Sequence, residues 1–136
     1  MVSRILRIAI GEALGVNITL NGKTVPVYHK VPDGAAKPFI EIIDQSETYG
    51  KANKDSKEYN GIVPIAVRTS HIGGGGGDID VDLIAEQIEP IIETIEITGH
   101  TIIDNYLSGS IPLNKDFGRE YQNAKVLNFQ FNIIKN

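Results

Sequence analysis

At 136 residues, with 41% apolar and 22% charged side chains, the chain has the size and composition of one globular domain, which excludes the disordered and fibrous classes. It holds no cysteine, so disulfides, thiolate metal ligands and cysteine nucleophiles are excluded together. A net charge of −4 and a pI near 5.3 exclude a protein that grips nucleic acid over its whole surface, because such binding needs clustered lysine and arginine.

The first fifteen residues, MVSRILRIAIGEALG, carry two arginines, but the apolar run is broken at Arg7 and Glu12, too early for a signal-peptide core. No stretch approaches the ~18 apolar residues of a membrane span. A soluble protein, not secreted by this route and with no membrane partner, is expected. Val2, Ile5, Leu6, Ala9, Ile10, Ala13 and Leu14 recur at helical spacing, and Gly15 stands where a helix C-terminal glycine belongs, so residues 2–14 read as an amphipathic helix.

Val16, Ile18 and Leu20 then alternate with Asn17 and Thr19, Asn21-Gly22 follows, and Val25 and Val27 resume the alternation. Asn-Gly between alternating runs predicts a hairpin. Pro26 cannot donate to a ladder, so its strand belongs at a sheet edge. Pro32-Asp33-Gly34 presets a turn, and residues 39–46 form the next strand, with Ile40 and Ile42 on one face and Phe39, Glu41 and Ile43 on the other. Residues 49–60 are polar and read as an exposed excursion before a strand at 62–72, giving a long-looped hairpin.

Five glycines, Gly73 to Gly77, separate that strand from DIDVDLIAEQIEPIIETI, where Val81, Ile84, Ile88, Ile91, Ile92 and Ile95 share one helical face. Asp78 or Asp80 caps its start, Asp82 suits the positive end of the helix dipole, and Pro90 predicts a kink or an early end. A turn at Gly99 and a short strand follow. Leu127, Phe129, Phe131 and Ile133 alternate with Asn128, Gln130 and Asn132 as a half-buried closing strand. The order αββββαββ predicts an α+β fold over residues 1–136: a mainly antiparallel sheet packed with two helices, with a long β-hairpin arm.

Each constellation that could carry chemistry meets a plainer reading. A glycine-rich loop before a helix can cradle phosphate, which makes a small anion- or nucleotide-binding protein the alternative from a different class. Gly73 to Gly77 lacks the Gly-Lys-Ser/Thr ending of a P-loop, however, and three aspartates follow where the anion would sit. Asp78, Asp80 and Asp82 open like a calcium loop with Glu89 at the twelfth position, but Leu83 replaces the glycine at the sixth. His29, His71 and His100 share no ligand spacing, and no serine stands in a Gly-x-Ser-x-Gly elbow. Neither catalysis nor a cofactor or metal is expected. Tyr49, Lys51, Lys54, Lys57 and Tyr59 together mark a polar arm with tyrosines at both ends, the candidate subunit interface.

The run VYHKVPDGAAKPFIEI, residues 27–42, resembles the signature of the bacteriophage tail-completion or tail-terminator (head–tail joining) family: a strand with a tyrosine, Val-Pro, small residues, a proline, then an aromatic opening the next strand. The resemblance continues through the first helix, the polar hairpin arm, IVPIAVRTSHI, DLIAEQIEPII and AKVLNFQF, and so covers nearly the whole chain. The pentaglycine and residues 108–118 depart from the pattern. The resemblance implies a structural virion protein, made in the bacterial cytoplasm, that forms a ring with its own copies at the head–tail junction. That ring, a hexamer or in related neck rings a dodecamer, would join connector and tail-tube proteins and let DNA pass without binding it specifically. It implies that the sheet and the arm, residues 44–61, face the lumen or adjacent rings, with the helices outside. Another adaptor or a tail-tube protein of the same virion is the neighbouring reading.

Overall fold

The computed structural model describes residues 2–43, 48–51, 57–72, 77–117 and 120–136. Among them are two helices and eight strands, in the order α1 (Val2–Leu14), β1 (Thr19–Leu20), β2 (Lys23–Thr24), β3 (Val27–Tyr28), β4 (Phe39–Ile42), β5 (Thr48–Lys51), β6 (Lys57–Ile72), α2 (Gly77–Glu93), β7 (His100–Phe117) and β8 (Glu120–Lys135).

Helix α1 has the predicted bounds. Leu6, Ile10 and Leu14 are fully buried at one-turn spacing. Its end is fixed by Gly15, whose φ of 37° lets its N–H reach Gly11 O at 2.8 Å. The Asn-Gly hairpin is also present: Asn21 and Gly22 both take positive φ, 53° and 79°, as a type I′ turn requires, and β1 pairs with β2 in a small sheet of its own. Pro26 marks the place where the chain leaves that hairpin. Its carbonyl accepts from Ile40 N at 2.9 Å, and β3 becomes an edge strand of the main sheet, parallel to β4.

The main sheet runs β3-β4-β6-β8-β7, with β5 also paired to β6. Strands β6, β7 and β8 are 16, 18 and 16 residues long, each about 50 to 60 Å at ~3.3 Å per residue. Three expectations are corrected here. The segment 49–60 is not all excursion, because Thr48–Lys51 pairs with Lys57–Asn60, and Glu58, Tyr59 and Asn60 also pair with β8. The strand after Gly99 is not short: β7 pairs with β8 from His100↔Lys135 to Phe117↔Glu120. Two register shifts, between Ile102 and Asp104 and between Leu107 and Gly109, interrupt the ladder, while Gly109, Pro112 and Asn114, the poor strand formers that disguised it, stay paired with β8. Finally, of the kink or early end expected at Pro90, the early end is corrected: α2 runs through Pro90 to Glu93, and Pro90 is exposed, so its ring removes a bond on the solvent side while Ile88 and Ile92 stay buried.

Directly opposed residues share a face, so the β6–β8 register sorts the sheet into two sides. On one side Tyr59 meets Ile133, Gly61 meets Phe131, Val63 meets Phe129 and Ile65 meets Leu127, with Val67 beyond them, and both helices cover this side with Leu6, Ile10, Leu14, Val81, Ile84, Ile88 and Ile92 in one cluster. Burying each such side chain stabilises the fold by roughly 1.5–3 kcal/mol. Ile40 and Ile42 extend this side on β4, and Ile102 and Leu107 on β7.

Candidate assembly surface

Among the described residues, no helix lies over the opposite side of the sheet. Its central rows, again from the register, pair Asn60 with Asn132, Ile62 with Gln130, Pro64 with Asn128 and Ala66 with Val126, and β7 adds Tyr106 beside Gln130 and Ile111 beside Val126. Ile62, Tyr106 and Ile111 are 36%, 46% and 54% exposed, which is unusual for large apolar side chains in the middle of long strands. Ala66, Ala124 and Phe39 on this face are nonetheless buried.

Four charged side chains among those described fall on this face. Arg68 stands 4.0 Å from Glu41 at the β4 corner, and Glu58 and Asp104 lie towards the opposite end. Between them are carboxamides and apolar groups. Protein–protein contact surfaces have this composition, with charges depleted from the centre and aromatic residues present. A face with so few cations neutralises few phosphates and gives DNA little to hold.

Of the five sequence-predicted arm residues, Tyr49, Lys51 and Lys57 fall on paired backbone, with Tyr49 opposite Tyr59 and Lys51 opposite Lys57. Lys54 lies outside the described residues. Tyr59 sits in the core at 3% exposure, lying over Gly61: a Cβ built on Gly61 would collide with the Tyr59 ring and hydroxyl. It therefore anchors the base of the hairpin to the helices and presents almost no surface to a second molecule.

The other sequence candidates are dispersed. Gly73 to Gly76 lie outside the described residues, and Gly77 opens α2. Asp78 through Glu89 belong to one continuous helix, which is not the bent loop that calcium requires. Asp82 instead accepts from Lys125 Nζ at 2.6 Å, tying α2 to β8. His29 rests against Gly11 of α1, His100 Nδ1 lies 3.1 Å from Thr98 O, and His71 stands near the far end of β6. Among the described residues no group of three or more histidines and carboxylates could hold a metal, and no helix is long and apolar enough to cross a membrane.

On β8 the two sides were legible in the sequence, where the alternation made the strand half-buried; what alternation did not give is the extent of the uncovered face across β6 and β7. The signal that was available is chemical: the outward positions of the closing strand are Asn128, Gln130 and Asn132, all uncharged, where a solvated strand face ordinarily carries lysine or glutamate.

No protein-family model matches the chain, and no curated protein matches it in sequence. Among solved structures, its fold is similar to that of a chain in the virion of a native gene transfer agent particle, with a TM-score of 0.52 and 12% identity, over 90% of this chain and 84% of that one.

Proposed function

We propose that the chain is a structural subunit of a phage-like virion, and that its copies form a ring at the head–tail junction which joins the tail to the connector and lets DNA through. The observation that carries this reading is the likeness of fold to a chain of the gene transfer agent virion over nine-tenths of the sequence. The sheet face that carries the carboxamides Asn128, Gln130 and Asn132 along β8 supports it, since a lumen wall or a ring-to-ring contact needs a surface that does not grip phosphate. In this reading the β5–β6 hairpin, with Tyr49, Lys51, Lys54 and Lys57, reaches towards the adjacent ring, and no reaction is catalysed.

The test is native mass of the purified chain across a wide concentration range, with negative-stain imaging of any large species. Closed rings of six or twelve copies are expected. Stacked rings growing into open tubes would instead assign the chain to the tail tube.

A further inference from the structure

Strand β7 forms one edge of the main sheet, and among the described residues no strand pairs with its outer side. At 18 residues it spans about 60 Å, and an edge of that length offers a row of free N–H and C=O groups to any extended chain. Its composition favours such pairing. From His100 to Pro112 there is one acid, Asp104, and no lysine or arginine, while Ile102, Ile103, Tyr106, Leu107 and Ile111 are strand formers. Ile103, Tyr106 and Ile111 are also exposed. Charge, a common protection of a sheet edge, is nearly absent here.

The edge is instead broken geometrically. Ile102 pairs with Ile133 and Asp104 with the next residue, Asn132, so Ile103 stands opposite no residue of β8; Leu107 pairs with Phe129 and Gly109 with Asn128, so Ser108 is likewise extra. Each extra residue bends the strand and increases its twist. Ser108 Oγ holds the second bulge by donating to Asn128 O at 3.0 Å. Pro112 then removes a backbone donor. Between these breaks, regular backbone runs only from Asp104 to Leu107 and from Gly109 to Ile111, shorter than the roughly five to six residues of an ordinary strand.

The fold does not need the extra residues to keep its faces. Neighbouring positions on a regular strand lie on opposite faces, and Ile102 and Asp104 already do so, with Ile102 on the side under the helices and Asp104 on the other. The same holds for Leu107 and Gly109. Without Ile103 and Ser108, the other residues of β7 would keep their partners on β8, including Asn105, whose Nδ2 donates to Ile92 O at 2.9 Å. We infer that these two bulges, with Pro112, guard the β7 edge by stopping a strand of a second copy from adding to the sheet there. Strand addition at an open edge has no built-in closure and leads to fibres. The guard acts whether the chain is alone or part of a ring.

Deleting Ile103 and Ser108 together tests this. The variant is expected to keep a single melting transition near that of the parent chain, since its ladder is complete. On standing it should convert to fibres that bind thioflavin and diffract at the ~4.8 Å strand spacing, which the parent chain does not form. Adding Y106K places a lysine on the same exposed stretch and should suppress the fibres. A deletion variant that stays as soluble as the parent overturns the inference. Fibres that persist undiminished with Y106K overturn it too, because they grow from another part of the chain. Loss of the melting transition would show that the bulges shape the sheet itself, and would equally overturn it. The parent chain's own assembly is measured separately by native mass, so the ring reading stands or falls independently.

Discussion

Gln87 of α2 pairs with Thr19 of β1 as a neighbouring strand would: Thr19 N–H donates to Gln87 Oε1 at 3.0 Å, and Gln87 Nε2 donates back to Thr19 O at 2.7 Å. The same Nε2 also reaches Leu83 O at 3.0 Å, one turn earlier in its own helix. A single carboxamide thus satisfies the free edge of the small hairpin and fastens it to α2. Glutamine is the side chain that can both accept and donate there.

Replacing Gln87 with glutamate keeps the acceptor but removes the donor and aims a carboxylate at the Thr19 carbonyl. Loss of a hydrogen bond of this kind costs about 1 kcal/mol, and the unfavourable contact adds to it. Q87E should melt several degrees below the parent chain, and Q87A nearly as far below; equal melting temperatures in all three would show that the hairpin is held by burial of Ile18 and Val25 alone.

The packing of Tyr59 over Gly61 gives a coupled pair. G61A forces a Cβ into the Tyr59 ring and should destabilise by about 1–3 kcal/mol. Y59L leaves room above residue 61 at its own cost in buried area. In chemical denaturation the double variant Y59L/G61A should lose less than the sum of the two single changes, because the clash is absent once the ring is gone. Strict additivity would contradict the contact.

The two faces of the main sheet should respond oppositely to substitution. F129A, on the face beneath the helices, removes a fully buried ring and should cost about 3–5 kcal/mol. I62E/Y106E, on the uncovered face, should leave folding stability within roughly 0.5 kcal/mol per substitution. A large loss in the second variant would mean that this face is covered within the monomer.

The hairpin tip can be separated from the core to which it is attached. Shortening residues 52–56 to a two-residue turn leaves Tyr59 and the β6–β8 ladder untouched, so the melting temperature should hold. If the tip meets an adjacent ring, stacking of rings in negative-stain images should fall while single rings persist. Unchanged stacking would remove the arm from the interface.

Elements whose signals are local were legible in the sequence. The one-turn repeat of Leu6, Ile10 and Leu14 gave α1, Asn21-Gly22 gave the type I′ hairpin, and Phe129 and Phe131 alternating with Gln130 and Asn132 gave the centre of β8. What escaped depends on partners distant in the chain. Residues 108–112 contain Ser108, Gly109 and Pro112 and look like a loop, yet their pairing with β8 overrides propensity, and Ser108 Oγ secures the second bulge by donating to Asn128 O at 3.0 Å. Tyr59 resembled Tyr49 as an exposed flank of the arm, and only the cross-strand register with Ile133 places it under the helices.

Native mass measured across concentration, with imaging of the largest species, tests the central claim most directly. The account predicts a closed ring of defined copy number. A chain that remains monomeric at every concentration, or that gives only amorphous aggregates, would contradict it.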